Sequence, residues 1–343
     1  MIFMKIFDTI IVGGGAAAYA AAIYARRYNL STVVLEGQFG GETALAGKIE
    51  NYPGYDSIDG FDLIGRFKKQ ALGLGVLAFP ENAKLAKNVY HCFTVSAGKK
   101  SYQAKTLILA MGMEHRKLGL AREEELRGKG VHYCATCDGP LYKGKQVGVV
   151  GGGDSAVKWA NLLSDVGAKS VSMFVREKDL SRAEPINRKR LESKKNVAVL
   201  FGSEVVELIG APHLKSVIVK KGNQRSEIAL EGLFVAIGSV PRGDLAAELG
   251  VKLDRQNQVD VDPRTMATSV DGVFACGDLT NASGSFKQIV TGAAQGAIAA
   301  TSAYLDVREH AGVCRFHARP IAGLLGRPKD CYAVISRNSS QKK

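Results

Sequence analysis

The densest run of reactive side chains is His132-Tyr133-Cys134-Ala135-Thr136-Cys137-Asp138-Gly139. Two cysteines separated by two residues serve either as half of a zinc site or as a redox dithiol. Zinc asks for four ligands. His132 is the one further close candidate, and the chain has no second C-x-x-C and no H-x-x-H, so no metal is expected. As a dithiol, the spacing lets the sulfurs reach bonding distance and form a small ring that opens and closes by thiolate attack. Exchange of this kind needs a group that takes and returns a proton, and Asp138, a carboxylate beside the second cysteine, can do so. Its other reading is the start of the turn at Gly139-Pro140.

Two repeated elements flank this segment. The apolar run Phe7 to Val12 leads into Gly13-Gly14-Gly15 and then an alanine-rich stretch, a strand, tight turn and helix. In such a unit Gly13 and Gly15 let the backbone approach a pyrophosphate, Ala18 allows close helix-to-strand packing, and the helix N-terminus offers unpaired N–H groups. A second strand, Ser31 to Leu35, ends in Glu36, 21 residues beyond Gly15, where a carboxylate accepts hydrogen bonds from a ribose. The pattern recurs 138 residues later: Gln146 to Val150, then Gly151-Gly152-Gly153-Asp154-Ser155-Ala156, then a helix. Its second strand, Ser170 to Val175, is followed by Arg176, Glu177 and Arg182. Two dinucleotide sites in one chain imply one resident and one exchangeable cofactor, an arrangement suited to electron transfer. A third landmark, Gly272 to Asp278, is an apolar strand ending in Gly-Asp. That pair is a turn signal by itself and, after two nucleotide folds, a ligand to the ribityl chain of a flavin.

Taken together, these motifs resemble the low-molecular-weight thioredoxin reductases of the pyridine nucleotide disulfide oxidoreductase superfamily, from about Thr9 to about Tyr304. Cys134-Ala135-Thr136-Cys137-Asp138 is the most specific match. Gly40-Gly41, Ile49 to Gly54, Gly151 to Ala156, Gly232 to Gly238, Gly277-Asp278 and Lys287-Gln288 support it. The resemblance implies an α/β fold of two Rossmann-like, three-layer ββα domains. The FAD domain is discontinuous, 1–115 plus 246–343, and the pyridine nucleotide domain, 116–245, is inserted in it. It implies a homodimer, a domain rotation and a thioredoxin-like protein partner. Cys134 would attack the partner disulfide, Cys137 would lie nearer the flavin and Asp138 would be the acid/base. The implied cofactor contacts also include Gly40, Gly41, Asn51, Gly112, Gly277, Asp278, Lys287 and Gln288, with Gly151, Gly153, Asp154, Ser155, Arg176, Glu177, Arg182, Ile237 and Gly238 in the second domain.

The sequence also departs from that family. NADPH-dependent members carry His-Arg-Arg after the second strand of the nucleotide domain and another Arg soon after. Here the match is Val175-Arg176-Glu177 and then Arg182. A carboxylate repels a 2′-phosphate but accepts hydrogen bonds from free ribose hydroxyls, so NADH is expected to serve better than NADPH. Glu42 replaces a Gln and Lys287 an Arg. The tail from about Asp306, with Cys314 and Cys331, runs past the usual end of the family, and no local motif makes those cysteines a second redox pair.

Bulk composition excludes other classes. With 343 residues, 46% hydrophobic and 23% charged, the chain is neither disordered nor a disulfide-stapled mini-protein. Six scattered cysteines with one close pair indicate a reducing compartment, and with neither a signal-peptide pattern nor an 18-residue apolar run a cytoplasmic location without membrane contact is expected. Of the net charge of +13, +5 falls between Leu305 and Lys343. Aromatics do not interleave with these charges, so no nucleic acid is expected, whereas an acidic protein partner suits the surplus. Three alternatives remain: a reductase of the same fold fed by ferredoxin or deazaflavin, a flavin or ferredoxin–NAD(P) reductase, which would have no use for the C-x-x-C, and a nucleotide-binding redox sensor, which would have no use for Asp138.

Overall fold

Apolar runs that stop at glycine become parallel strands in both halves of the chain. The computed structural model describes residues 6–89 and 92–309. These residues divide into two compact units, one gathering the chain up to Met113 and from Pro241 onward, the other running Glu114–Val240. The joins expected at 115/116 and 245/246 fall at 113/114 and 240/241, the second because the helix Asp244–Glu248 buries Leu245 and Ala246 in the first unit's core. Cys314 and Cys331 lie outside the described residues.

In the first unit, Ile6–Val12 pairs in parallel with Thr32–Leu35 on one side and Lys100–Leu109 on the other. The strand Thr32–Leu35 is buried along its whole length, as expected of a strand covered on both faces. Leu77–Phe79 extends the sheet beyond it, Val273–Ala275 joins Lys100–Leu109 in parallel, and Cys92–Ala97 and Ala83–Val89 complete it as an antiparallel flank. The helix Ala16–Arg27 is buried at nine positions, seven of them alanine or tyrosine before Ile23, and packs against the helix Ile289–Glu309. Small residues make that approach possible: a Cβ on Gly296 would overlap the Ala17 carbonyl oxygen and sit 3.0 Å from the Ala21 nitrogen.

The second unit has five parallel strands in the order Val131–His132, Gly232–Val235, Gln146–Val150, Ser170–Val175, Val197–Phe201. One face carries the helix Asp154–Asp165, whose Ala156, Val157, Ala160 and Leu163 pack with Val147, Val149, Val171 and Met173. The other face is covered by the antiparallel strands Ser203–Ile209, Ser216–Lys221 and Gln224–Ala229, whose Val205, Leu208, Val217 and Val219 pack with Val150, Phe174, Leu233 and Val235. The unit is therefore a three-layer ββα sandwich. Among the described residues, no helix is long and apolar enough to cross a membrane.

Replacing Gly296 by Val forces the two helices of the first unit apart. Thermal unfolding should show a loss of about 1–3 kcal/mol, read as roughly 2–4 °C of Tm per kcal/mol. An unchanged Tm would contradict the packing described.

Candidate active site

The strand Val131–His132 lies at the edge of the second unit's parallel sheet and delivers the dithiol to that sheet's carboxyl end. Open parallel sheets bind their ligands at this end, and the Gly151–Gly153 loop leaves the sheet there too. Cys134 and Cys137 are joined in a disulfide with Cα atoms 5.4 Å apart. Cys134 caps the short helix Ala135–Asp138, its Sγ accepting from the Cys137 N–H at 3.1 Å. It is 8% exposed, whereas Cys137 is exposed. Cys276 is a free, buried cysteine, and burial pushes its thiol up to about 12, leaving it unreactive near neutral pH.

The residues before the dithiol are anchored on both sides of the strand. His132 is 4% exposed and stacks on Phe234, ring centroids 5.2 Å apart. Its Nδ1 lies 2.9 Å from Asp138 Oδ2 and its Nε2 lies 2.6 Å from the Tyr142 hydroxyl. Tyr133 turns the other way and donates to Glu123, a buried carboxylate that also accepts the Leu118 and Gly119 N–H groups at 2.7 Å each. Burial holds the His132 imidazole below its usual range, more than the Asp138 charge lifts it. The Tyr142 hydroxyl is pushed up to about 12 by burial and by the charges of Asp138 and Glu231. Sequence reading weighed His132 only as a metal ligand. Among the described residues no group of three or more His, Cys, Asp or Glu is arranged to hold a metal ion.

The two glycine loops repeat one geometry. A Cβ on Gly13 (φ +130°) would overlap the Ala110 carbonyl oxygen, and one on Gly151 (φ +134°) would overlap that of Ala236, so the neighbouring strand forbids a side chain at either position. At the middle glycines a Cβ would meet the acidic residue after the second strand: Gly14 would lie 3.3 Å from Glu36 Cβ and Gly152 3.3 Å from Glu177 Oε2. At the third position protein neighbours make no such demand, since nothing closer than 3.9 Å faces Gly15 and nothing within 4 Å faces Gly153. Each third glycine precedes a helix whose N-terminus has no side-chain cap. Backbone that must come close, open space before it and a helix N-terminus without a side-chain cap are the features with which a glycine loop can receive a pyrophosphate.

The other residues named from the sequence are held within their own units. In the first, Ala18 is fully buried, Gly40 donates its N–H to the Gly14 carbonyl at 2.9 Å, and Gly41 lies with its Cβ position 3.9 Å from Gly15. Glu36 Oε1 accepts from Tyr19 and pairs with Lys68 at 2.6 Å, partners that no motif announces. Asn51 donates to Gln288 Oε1 at 3.1 Å, and Lys287 donates to the Thr280 carbonyl. The Gly277 N–H is taken by Gln295 at 2.8 Å. Burial raises the Asp278 carboxyl, Glu42 adds to the rise and Lys287 opposes it. Gly112 and Gly238 each lie three residues after a strand end, Leu109 and Val235, both at positive φ.

In the second unit, Asp154 is engaged by the protein, with Oδ1 accepting from the Glu184 N–H at 2.9 Å and Asn187 at 2.8 Å and Oδ2 pairing with Lys158. Ser155 is exposed in the first turn and Ile237 is half-buried. Arg182 forms an ion pair with Glu177, while Arg176 is exposed.

The chain matches the family model described as pyridine nucleotide-disulphide oxidoreductase over residues 7–296. It is 38% identical over 313 residues to a thioredoxin reductase of Treponema pallidum, an alignment covering 89% of this chain and 99% of the relative. The solved thioredoxin reductase of Lactococcus lactis, in its FR conformation, superposes with a TM-score of 0.83 at 32% identity, covering 88% of this chain and 99% of that one. That of T. acidophilum gives 0.82 at 34% identity over the same shares.

The glycine geometry separates folding from binding. Gly151→Ala should lower Tm by several degrees, because its φ and its overlap with Ala236 both oppose a side chain. Gly153→Ala should leave Tm within about 1 °C and weaken dinucleotide binding by tenfold or more, about 1.4 kcal/mol. Calorimetric melts and a binding titration of both variants check this, and equal effects on the two readouts would contradict it.

Proposed function

The chain belongs to the pyridine nucleotide-disulphide oxidoreductase family, as a low-molecular-weight thioredoxin reductase, and on that premise we propose how its residues divide the work. The reaction reduces the Cys134–Cys137 disulfide by two electrons at the expense of a nicotinamide dinucleotide, and the resulting dithiol reduces a thioredoxin-like protein. The observation that carries this reading is a disulfide at the carboxyl end of a parallel sheet that also bears an open glycine cradle.

The residues present fit both cofactors. In the first unit Gly13 to Gly15 would receive the FAD pyrophosphate, Glu36 the ribose, and Asp278 the ribityl chain, with Asn51, Lys287 and Gln288 nearby. In the second, Gly151 to Gly153 would hold the nicotinamide dinucleotide. FAD, when bound, supplies two-electron chemistry between a nicotinamide and a disulfide.

The steps at sulfur belong to this chain. In the reduced enzyme the Cys134 thiol gives its proton to the Asp138 carboxylate as Sγ attacks the partner's disulfide. A mixed disulfide forms, the partner's S–S bond breaks, and the first leaving thiolate takes the proton from Asp138. Cys137 then gives its thiol proton to the freed Asp138 carboxylate as its Sγ attacks Cys134 Sγ, restoring the intramolecular disulfide, and the partner's second thiolate leaves and takes that proton from Asp138. The partner is reduced by two electrons and the dithiol oxidised by two. Cys134, at 8% exposure, must become accessible for the first step.

NADH is the preferred donor in this proposal. The Glu177 carboxylate lies over Gly152, where the adenosine ribose approaches, and it already pairs with Arg182, the arginine otherwise free to meet a 2′-phosphate. Both partners are substantially exposed, 64% for the Arg182 side chain and 38% for that of Glu177, so the pair itself is worth at most about 1 kcal/mol. The discrimination comes from the carboxylate that a 2′-phosphate would have to face. A homodimer is proposed on family resemblance, and light scattering of the holoenzyme checks it.

Anaerobic addition of NADH or NADPH to the FAD-loaded enzyme tests the donor directly: NADH should bleach the flavin band faster. NADPH bleaching it faster would refute the preference, and failure of both would point to a different reductant. Glu177→Arg should raise kcat/KM for NADPH about tenfold, ~1.4 kcal/mol, and lower that for NADH. Cys134→Ser should keep flavin bleaching and lose thioredoxin reduction by about 10³-fold or more; full turnover in this variant would overturn the dithiol route.

A further inference from the structure

We propose that His132 is a positioning residue for the proton transfer at the dithiol: a neutral imidazole that holds Asp138 by one carboxylate oxygen and is itself fixed by Tyr142 and Phe234. The inference rests on the reading of Cys134, Cys137 and Asp138 as a thiol-exchange centre.

The hydrogen-bond pattern fixes the tautomer. An ionised carboxylate only accepts, so at 2.9 Å from Asp138 Oδ2 the His132 Nδ1 carries the hydrogen. Nε2 is then the acceptor, and the Tyr142 hydroxyl, 2.6 Å away, donates to it. That hydroxyl keeps its proton, since burial and the charges of Asp138 and Glu231 oppose its loss. The ring cannot readily turn. It stacks on Phe234 at an interplanar angle of 26° and meets Tyr142 edge-on at 72°. Burial disfavours the imidazolium, so the imidazole stays a donor to Asp138 and does not become its counter-ion.

A buried histidine with both nitrogens bonded could be purely structural. The partner at Nδ1 distinguishes this one. Asp138 follows Cys137 directly in the chain, and its side chain is 34% exposed while that of His132 is 4% exposed, so the histidine holds from within a carboxylate that still reaches out of the protein. With Oδ2 occupied by Nδ1–H, the proton taken from the Cys134 thiol is carried on Oδ1 and returned from Oδ1 to the leaving thiolate. Asp138 thus starts and ends the exchange ionised, and His132 neither gains nor loses a proton. Its contribution is to keep the carboxylate in one orientation, which replaces the reorganisation a mobile side chain would need.

A double-mutant cycle on the holoenzyme tests this. The dithiol form is prepared anaerobically, mixed with oxidised thioredoxin, and followed through one turnover. His132→Phe, which keeps a ring on Phe234 and removes both hydrogen bonds, should slow exchange about tenfold when Asp138 is present. With Asp138→Asn already in place it should change the rate less than about twofold. His132→Asn, whose amide N–H stands in for Nδ1–H, should recover most of the loss, and retained yellow FAD absorbance and Tm show whether each variant is folded. Equal slowing in both backgrounds, or none in either, would overturn the proposal. If the unmutated enzyme is not oxidised by thioredoxin, the partner assignment fails instead. The same cycle then runs on iodoacetamide alkylation of the reduced dithiol between about pH 5 and 9. His132→Phe should displace the midpoint of that profile only when Asp138 is present, and a displacement in both backgrounds, or in neither, would refute the positioning role.

Discussion

The contact on which both cofactor cradles depend is a backbone carbonyl meeting a glycine Cα across neighbouring parallel strands. Ala110 closes on Gly13 and Ala236 on Gly151, each at a positive φ and each where any Cβ would overlap the oxygen. Because the strands are this close, the chain must turn sharply into the following helix. The helix N-terminus then faces open space with its N–H donors unshared. At the third glycine no protein atom comes closer than 3.9 Å to the position of a Cβ, so the packing that excludes a side chain at Gly13 and Gly151 does not extend to Gly15 and Gly153.

The second unit adds one thing to this shared plan. Its edge strand, Val131–His132, ends on the same side of the sheet as its glycine loop and carries the disulfide. The two residues before Cys134 turn to opposite sides and are each tied to a distant group, His132 to Tyr142 and Phe234, Tyr133 to Glu123. A segment pinned on both sides presents its sulfurs in a defined place, and the Asp138 carboxylate beside them meets the buried His132 Nδ1 at 2.9 Å. Cys276, buried with its thiol raised by desolvation, shows the contrast between a cysteine that packs and a pair that reacts.

Local spacing made much of this legible. Gly13 to Glu36, Gly151 to Glu177 and Cys134 to Asp138 are short-range patterns whose meaning comes from backbone geometry, and the structure places each at a strand end. Long-range partners were not legible, since nothing near Glu36 in sequence announces Lys68, and nothing near His132 announces Phe234, about 100 residues on. Two residues named from sequence also carry pairings that spacing does not reveal: Glu177 with Arg182, and Asp154 with Asn187 and the Glu184 N–H. The first bears on donor choice and the second ties the helix Asp154–Asp165 to the helix Pro185–Glu192.

The central claim is that electrons leave this protein through Cys134. It is tested most directly by trapping the mixed disulfide. Reduced Cys137→Ser and Cys134→Ser holoenzymes are each mixed with a thioredoxin whose second active-site cysteine is replaced and whose first carries a thionitrobenzoate leaving group. Cys137→Ser should release the coloured thiolate stoichiometrically and yield a conjugate that peptide mass spectrometry maps to Cys134, while Cys134→Ser reacts far more slowly. No conjugate from Cys137→Ser, or equal reaction of the two variants, would contradict the account.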